Sequence, residues 1–457
     1  VLCLTGGDAP VYLPWLHYME TAVAEHVHRL SDTSLSALQR EGENGETGIA
    51  HILSALQACQ GELGFEISTE QAGAIWQTVT NKITVITGGP GVGKSTILRL
   101  LVKALEATGH SFSLCAPTGR AAKRLSETTG CSASTIHRLL EFRPDTRTFQ
   151  RDNSNPLNSD VIIVDETSMV DLYLMYHLLD AARSTSHVIL VGDADQLPSV
   201  GAGDVLRDLI ASGVVRVCRL TQIYRQAANS QIVANAHLIN AGKMPVLEPS
   251  EDFVFVPAND DQIVGIIRDL VSIELHRIGY DALADVQVLS PMYRGAVGVN
   301  VLNQVLRDTL NPQRGRLERK FRVGDKVMQL TNNYEKGAFN GDIGRVVDLD
   351  PDNGLMVTID NRNIEYRFDE LDQLTLAYAC TVHKAQGSEY PVVIMAMSKS
   401  HYVMLRRNLL YTGITRGKEL VILVGDKDAV QIAVRRADTS VRYTGLQSYL
   451  TGARKGQ

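Results

Sequence analysis

Cysteine is scarce and scattered. The six cysteines, at positions 3, 59, 115, 131, 218 and 380, include no C-x-x-C pair, which argues against a zinc site or a disulfide framework and suits a reducing, cytoplasmic setting. Long apolar runs are missing too. None reaches membrane-spanning length, and Val1-Leu2-Cys3-Leu4 gives way at once to Gly6-Gly7-Asp8, so neither a membrane anchor nor a signal peptide is expected. Charge of one sign does not dominate: the net charge is -6 over 457 residues. Affinity for nucleic acid would therefore have to come from a local basic channel. With 44% hydrophobic and 21% charged residues the chain is globular, not disordered, and its length implies roughly two to four domains. The first residue is Val rather than Met, read as the start of a fragment or processed product.

What is present is organised around one strand and its loop. Ile83, Val85 and Ile86 suit a buried parallel strand, and Gly88-Gly89-Pro90-Gly91-Val92-Gly93-Lys94-Ser95-Thr96 has the G-x-x-x-x-G-K-[ST] spacing of a phosphate-binding loop. Glycine lets the backbone turn its N–H groups toward one anion. Lys94 brings a mobile charge to the phosphates, Ser95 a hydroxyl for Mg²⁺, and the following helix its positive end. Ile97, Leu98, Leu101, Val102 and Leu105 fall at helical spacing, which supplies the strand-loop-helix context. The competing reading is a glycine-rich turn that binds nothing.

Around this centre, residues 11 to 40 read as helical and Glu41 to Glu46 as a linker or exposed loop, while Ser68-Thr69-Glu70-Gln71 has the pattern of a capping box. Apolar strands at 113–116, 161–164 and 188–191 alternate with helices, implying a parallel sheet. A second set at 286–289, 392–395 and 420–423, with Val-Ile-Leu-Val-Gly-Asp at both 188–193 and 421–426, predicts two α/β domains in tandem. Two insertions interrupt them. Residues 142–158 are polar and rich in turn formers, predicting an exposed hairpin; residues 318–374 switch to short, closely spaced strands with an Asn340-Gly341 turn, predicting a small barrel.

Asp165 and Glu166 end an apolar strand where the second half of a triphosphate site should lie, Asp165 for the water shell of Mg²⁺ and Glu166 for the attacking water. The alternative is a pair of helix-capping acids. Gln196 ends another strand, where it can sense the γ-phosphate. Arg225 and Arg416 are candidates for transition-state charge, or else ordinary surface ion pairs.

In order, the stretches from Thr87 to Thr96, Ala116 to Ala122, Thr135 to Leu140, Val164 to Met169, Gly192 to Pro198, Gln222 to Gln226, Thr381 to Glu389 and Tyr411 to Gly417 resemble the motif set of superfamily 1B helicases of the RecD-like group, from about residue 11 to 430. The resemblance implies an α/β fold of two tandem RecA-like parallel-sheet motor domains, with a β-hairpin insertion in the first and a small β-barrel insertion in the second. The boundaries follow: 1–60 the helical end of an N-terminal domain, 61–218 the first motor domain with hairpin 142–158, 219–317 and 375–457 the second, and 318–374 the barrel. It implies ATP and Mg²⁺ as cofactors, with Ser95 and Asp165 toward the metal. Gly89, Gly91, Val92, Gly93, Lys94, Ser95 and Thr96 would hold the phosphates. Gln71 would read adenine, Tyr224 stack on it, and Glu389 lie near the ribose. Lys94, Asp165, Glu166, Gln196, Arg225 and Arg416 would be catalytic. Pro117, Thr118, Arg120, Thr135, His137, Thr381, His383 and Lys384 would contact the DNA backbone, and 142–158 would be the strand-separating pin, with Phe142 and Phe149 its only aromatic residues.

Such a protein unwinds DNA while moving 5′ to 3′ on single strands in repair or recombination; its partners are single-stranded and 5′-tailed duplex DNA and proteins of repair or nuclease complexes. Three rivals compete: a translocase subunit of a nuclease complex without unwinding of its own, a binding module whose ATPase regulates assembly, and a small-molecule kinase. The last leaves the second domain unexplained.

Overall fold

The computed structural model describes residues 2–3, 11–32, 36–39, 48–63, 67–223, 229–312, 320–333, 335–350, 354–437 and 442–452. The expected linker 41–46 lies outside them, as do Tyr224 and Arg225. Two compact units form. The first holds residues 1–117, 121–225 and 440–457, the second residues 118–120 and 226–439.

The first unit is built on six parallel strands: β1 (Ile83–Gly88), β2 (Phe112–Ala116), β3 (Ala133–Thr135), β4 (Val161–Val164), β5 (His187–Gly192) and β6 (Arg216–Leu220), in the order β3-β2-β4-β5-β1-β6. Strand side chains alternate between faces, so strands covered on both sides read as unbroken apolar runs. Val85, Ile162, Val164, Val188 and Leu190 pack on one face against Val23, Val27 and Leu30 of helix Pro14–Ser31 and against helix Leu172–Ala181. Ile86, Val161, Ile163, Ile189 and Val191 pack on the other, against helices Thr69–Thr80 and Lys94–Ala107.

The expected second domain ran to residue 457, but Ser440–Gln457 belongs to the first unit. Leu446 and Leu450 of the short helix Leu446–Leu450 join the first face of the sheet. Arg442 donates to the Gly201 and Gly203 carbonyls at 2.6 and 2.7 Å and to Ser199 Oγ at 3.3 Å, and also binds the Ser199 carbonyl.

The insertion at 142–158 is not a two-stranded hairpin. A single antiparallel bridge, Arg143 with Thr148, closes a turn-rich loop. Phe149, 9% exposed, and Leu157 are buried in the core, and Phe142 packs against it. The Phe149 ring centroid lies 5.0 Å from Phe142, 4.5 Å from His177 and 5.8 Å from both Tyr173 and His137. Polar composition hid two anchoring rings, while residues 143–148, 153–155 and 158 stay exposed.

In the second unit β7 (Phe253–Pro257), β8 (Val286–Ser290), β14 (Ala379–Thr381), β15 (Tyr390–Met397) and β16 (Gly417–Gly425) form a parallel sheet in the order β14-β8-β15-β16-β7. Between β8 and β14 the chain makes an antiparallel sheet of β9 (Lys326–Gln329), β10 (Ile343–Asp350), β11 (Gly354–Ile359), β12 (Arg362–Arg367) and β13 (Leu374–Leu376), in the order β12-β11-β10-β9-β13. Its core of Phe321, Val327, Val346, Val357, Ile359 and Tyr366 is separate from that of the parallel sheet. No helix among the described residues is long and apolar enough to cross a membrane.

Candidate functional site

Because all strands of the first sheet are parallel, their carboxyl ends share one edge, where ligands bind α/β sheets. That edge carries the loop after β1, Pro117 and the turn after β2, His137 after β3, Asp165 and Glu166 after β4, and Asp193 to Gln196 after β5.

The loop after β1 is a close-fitting turn. A Cβ at Gly88 would lie 2.6 Å from the Leu220 carbonyl oxygen and 2.9 Å from a Val92 methyl. Gly91 and Gly93 have φ of 75° and 80°, which only glycine adopts without strain. Gly93 precedes a helix of 14 residues, so unpaired helix N–H groups face the loop. Lys94 Nζ donates to the Gly88 and Gly89 carbonyls at 2.5 and 2.9 Å, which holds an ammonium inside the turn; the loop thus fits a polyphosphate. Val92 is buried, whereas Ser95 at the helix start is exposed.

Glu166 stands in the left-handed region, φ 51° and ψ 41°, a conformation that costs a non-glycine residue on the order of 1–3 kcal/mol and that clusters at working sites. Asp165 Oδ1 accepts from the Glu166 N–H at 2.8 Å. Burial and then the Glu166 charge raise the Asp165 pKa above the ordinary carboxylate range, a condition that a bound cation would relieve. Arg124 Nη1 lies 3.8 Å from Glu166 Oε1. Sequence reasoning missed it, because a helix arginine has no spacing signature. Gln196 is buried; its Nε2 donates to Asp193 Oδ2 at 3.3 Å, while its Oε1 has no hydrogen-bond partner among the described residues. Such an orphan acceptor at this edge suits a bound water.

Gln71 completes the capping box: Oε1 accepts from Ser68 N at 3.1 Å, Ser68 Oγ accepts from Gln71 N at 3.2 Å, and Gln71 Nε2 donates to the Gly93 carbonyl at 3.4 Å. Its amide therefore joins the helix cap to the phosphate loop. Beside it Glu70 accepts from Thr221 N, Thr221 Oγ1 and Gln222 N at 2.8, 2.6 and 3.0 Å, which ties the start of this helix to the segment after β6.

The expected DNA-contacting residues contain a repeat that the sequence reading passed over. Thr135-Ile136-His137-Arg138 and Thr381-Val382-His383-Lys384 each follow an edge strand, β3 and β14. In each the Thr hydroxyl caps the turn, accepting from Arg138 N at 3.2 Å and from Lys384 N at 3.3 Å. In each burial lowers the histidine pKa below its ordinary value, which favours the neutral imidazole, a hydrogen-bonding group in place of a charge. Thr118 and Arg120 belong to the second unit, where Arg120 Nη1 donates to Tyr390 Oη at 2.8 Å.

Within the second unit Glu389 and Arg416 meet at the amino ends of β15 and β16, at the opposite edge of the sheet from Thr381. Arg416 is 2% exposed, and its guanidinium donates at 3.2 Å to the Thr412 and Ser388 carbonyls and to Thr415 Oγ1. Glu389 Oε2 lies 3.4 Å from Lys418 Nζ.

A parallel sheet whose carboxyl edge gathers a phosphate loop, an acid pair and a buried glutamine defines a RecA-like nucleoside-triphosphate motor. Residues 66–261 match an AAA domain, residues 302–360 the SH3 domain of ATP-dependent RecD-like DNA helicases, and residues 376–424 a UvrD-like helicase C-terminal domain. The chain is 39% identical over 373 residues to the ATP-dependent RecD2 DNA helicase of Deinococcus radiodurans, a match that covers 81% of this chain and 50% of that one. It is 34% identical over 429 residues to the RecBCD enzyme subunit RecD of Mycolicibacterium smegmatis, covering 85% and 76%. A Pif1 helicase from Bacteroides, solved with ADP-AlF3 and single-stranded DNA, shares the fold with a TM-score of 0.51 and 21% identity, covering 81% of this chain and 94% of that one. The chain belongs to the RecD-like helicase family. It spans half the length of the Deinococcus relative.

Proposed function

We propose that this chain is the motor of an ATP-dependent DNA helicase that moves 5′ to 3′ on single-stranded DNA and unwinds 5′-tailed duplex, in DNA repair or recombination in the cytoplasm. The observation that carries the reading is the single sheet edge on which Lys94, Asp165, Glu166 and Gln196 are gathered with Pro117 and His137. Lys94 and the loop N–H groups bind the phosphates, Glu166 takes the proton of the attacking water, and Gln196 orients that water. Ser95 and, through its water shell, Asp165 would hold Mg²⁺, which would neutralise phosphate charge. Arg225 and Arg416 supply transition-state charge, Gln71 and Tyr224 hold the base, and Glu389 the ribose. Thr135, His137, Thr381, His383 and Lys384, with Pro117, Thr118 and Arg120, contact backbone phosphates whatever the sequence.

A second reading, a translocase subunit without unwinding of its own, is favoured by the name of the Mycolicibacterium relative, a RecBCD enzyme subunit. The first test is ATP hydrolysis with and without single-stranded DNA. Stimulation by DNA, abolished in Lys94→Ala, supports both motor readings; hydrolysis indifferent to DNA overturns both and leaves the regulatory ATPase.

A further inference from the structure

The barrel insertion reaches one of the residues assigned to the DNA track. Asn340, in the loop between β9 and β10 and three residues before β10, accepts a 2.9 Å hydrogen bond from Lys384 Nζ through Oδ1. The loop is held from several sides. Asn333 and Ala338 exchange backbone hydrogen bonds at 2.7 and 3.0 Å, the Gly341 N–H donates to the Gln329 carbonyl at 2.9 Å, and Phe339 N donates to Asp342 Oδ2 at 2.7 Å. Asn340 N itself donates to Asn332 Oδ1 at 2.9 Å. Its carboxamide therefore sits on a fixed support, while Lys384 is a flexible four-carbon stem that loses entropy when it must hold one position.

The choice of acceptor matters chemically. An aspartate in this place would fix the lysine and cancel its charge. An asparagine fixes it and leaves the charge intact, with the other two ammonium protons free for an anion. We propose that Asn340 is a positioning residue: the barrel insertion holds Lys384 extended toward a backbone phosphate, so the inserted domain sets the grip of the motor on DNA. The proposal rests on the assignment of Lys384 to the DNA track.

The test measures binding of a labelled oligo-dT over a salt series, and ATP hydrolysis against DNA concentration, for the full chain and its Asn340→Ala, Asn340→Asp, Lys384→Ala and Asn340→Ala/Lys384→Ala variants. Asn340→Ala should raise the half-saturating DNA concentration about threefold to tenfold and leave turnover at saturating DNA within about twofold, the mark of lost preorganisation in a binding contact. The double variant should bind no more weakly than Lys384→Ala alone. Asn340→Asp should flatten the slope of log affinity against log salt by about 0.7, the value of one phosphate contact on a single strand. If Lys384→Ala weakens binding and Asn340→Ala does not, or if the two effects add, the positioning role is overturned and the track assignment stands. If Lys384→Ala binds like the parent, the track assignment fails and the proposal falls with it.

Discussion

The hydroxyl of Thr444 lies 2.8 Å from Glu20 Oε1 and 2.9 Å from Asp208 Oδ2, yet it carries one proton and can donate to only one carboxylate. Glu20 also accepts from Tyr12 Oη and from the Gly445 N–H, both at 2.9 Å. The consistent arrangement is a chain in which protonated Asp208 donates to Thr444 and Thr444 donates to Glu20. Burial pushes Asp208 up to about 7, with the charges of Asp204 and Glu20 adding to it, while the Thr444 hydroxyl, which can turn to donate to the ionised carboxylate, pulls the other way. A carboxyl raised in the folded state contributes stability that is complete below its unfolded pKa and is lost as pH rises through the folded one. Between pH 5 and pH 7 the loss runs at ~1.4 kcal/mol per unit, so about 3 kcal/mol has gone by pH 8. Asp208→Asn supplies a permanent neutral donor of the same shape. Urea unfolding from pH 5 to 8 should show the parent losing stability relative to Asp208→Asn by that amount. Parallel pH curves for the two proteins would refute the proton assignment.

Glu166→Gln should bind ATP and single-stranded DNA but hydrolyse slower by on the order of 10²–10⁴, with single-turnover kinetics as the check; loss of nucleotide binding would make Glu166 structural. Phe149→Ala should cost about 3–5 kcal/mol in urea unfolding, as a core ring replaced by a cavity. Replacing the exposed tip Asp145-Thr146-Arg147 by Asn-Gly should stay within about 0.5 kcal/mol, and should abolish unwinding with ATP turnover intact if the tip is the pin. Arg442→Ala removes the donors to Ser199, Gly201 and Gly203, a few residues beyond Gln196. Its ATP turnover should fall roughly tenfold, the rate cost of ~1.4 kcal/mol of lost positioning, while nucleotide affinity persists; unchanged turnover would make this contact purely structural.

The features legible in the sequence were those that local chemistry decides. The phosphate loop is read from spacing because the turn needs glycine where a Cβ would strike Leu220 and Val92. The capping box at Ser68 and Gln71 needs only four residues, and strands buried on both faces announce themselves as apolar runs. What escaped depends on partners far away in the chain. Nothing near Arg442 or Thr444 says that their partners are the 199–203 loop, Glu20 and Asp208, so the C-terminal segment was assigned to the wrong unit. The 142–158 loop reads as exposed because its many polar residues outweigh Phe142, Phe149 and Leu157 in composition, although those three pack into or against the core. Arg124 and Asn340 had no motif to reveal them. The Thr-x-His repeat did, and two units with the same strand-to-turn geometry give it meaning.

The proposed motor would track along one DNA strand in one direction and split the duplex ahead. Strand displacement by the purified chain on blunt, 5′-tailed and 3′-tailed duplexes, with ATP and Mg²⁺ and with Lys94→Ala as control, tests it most directly. Such a motor releases the 5′-tailed duplex alone, only with ATP, and its Lys94→Ala variant releases none. Release from the 3′-tailed duplex, or no release from any duplex by a preparation whose ATP turnover responds to single-stranded DNA, would contradict it.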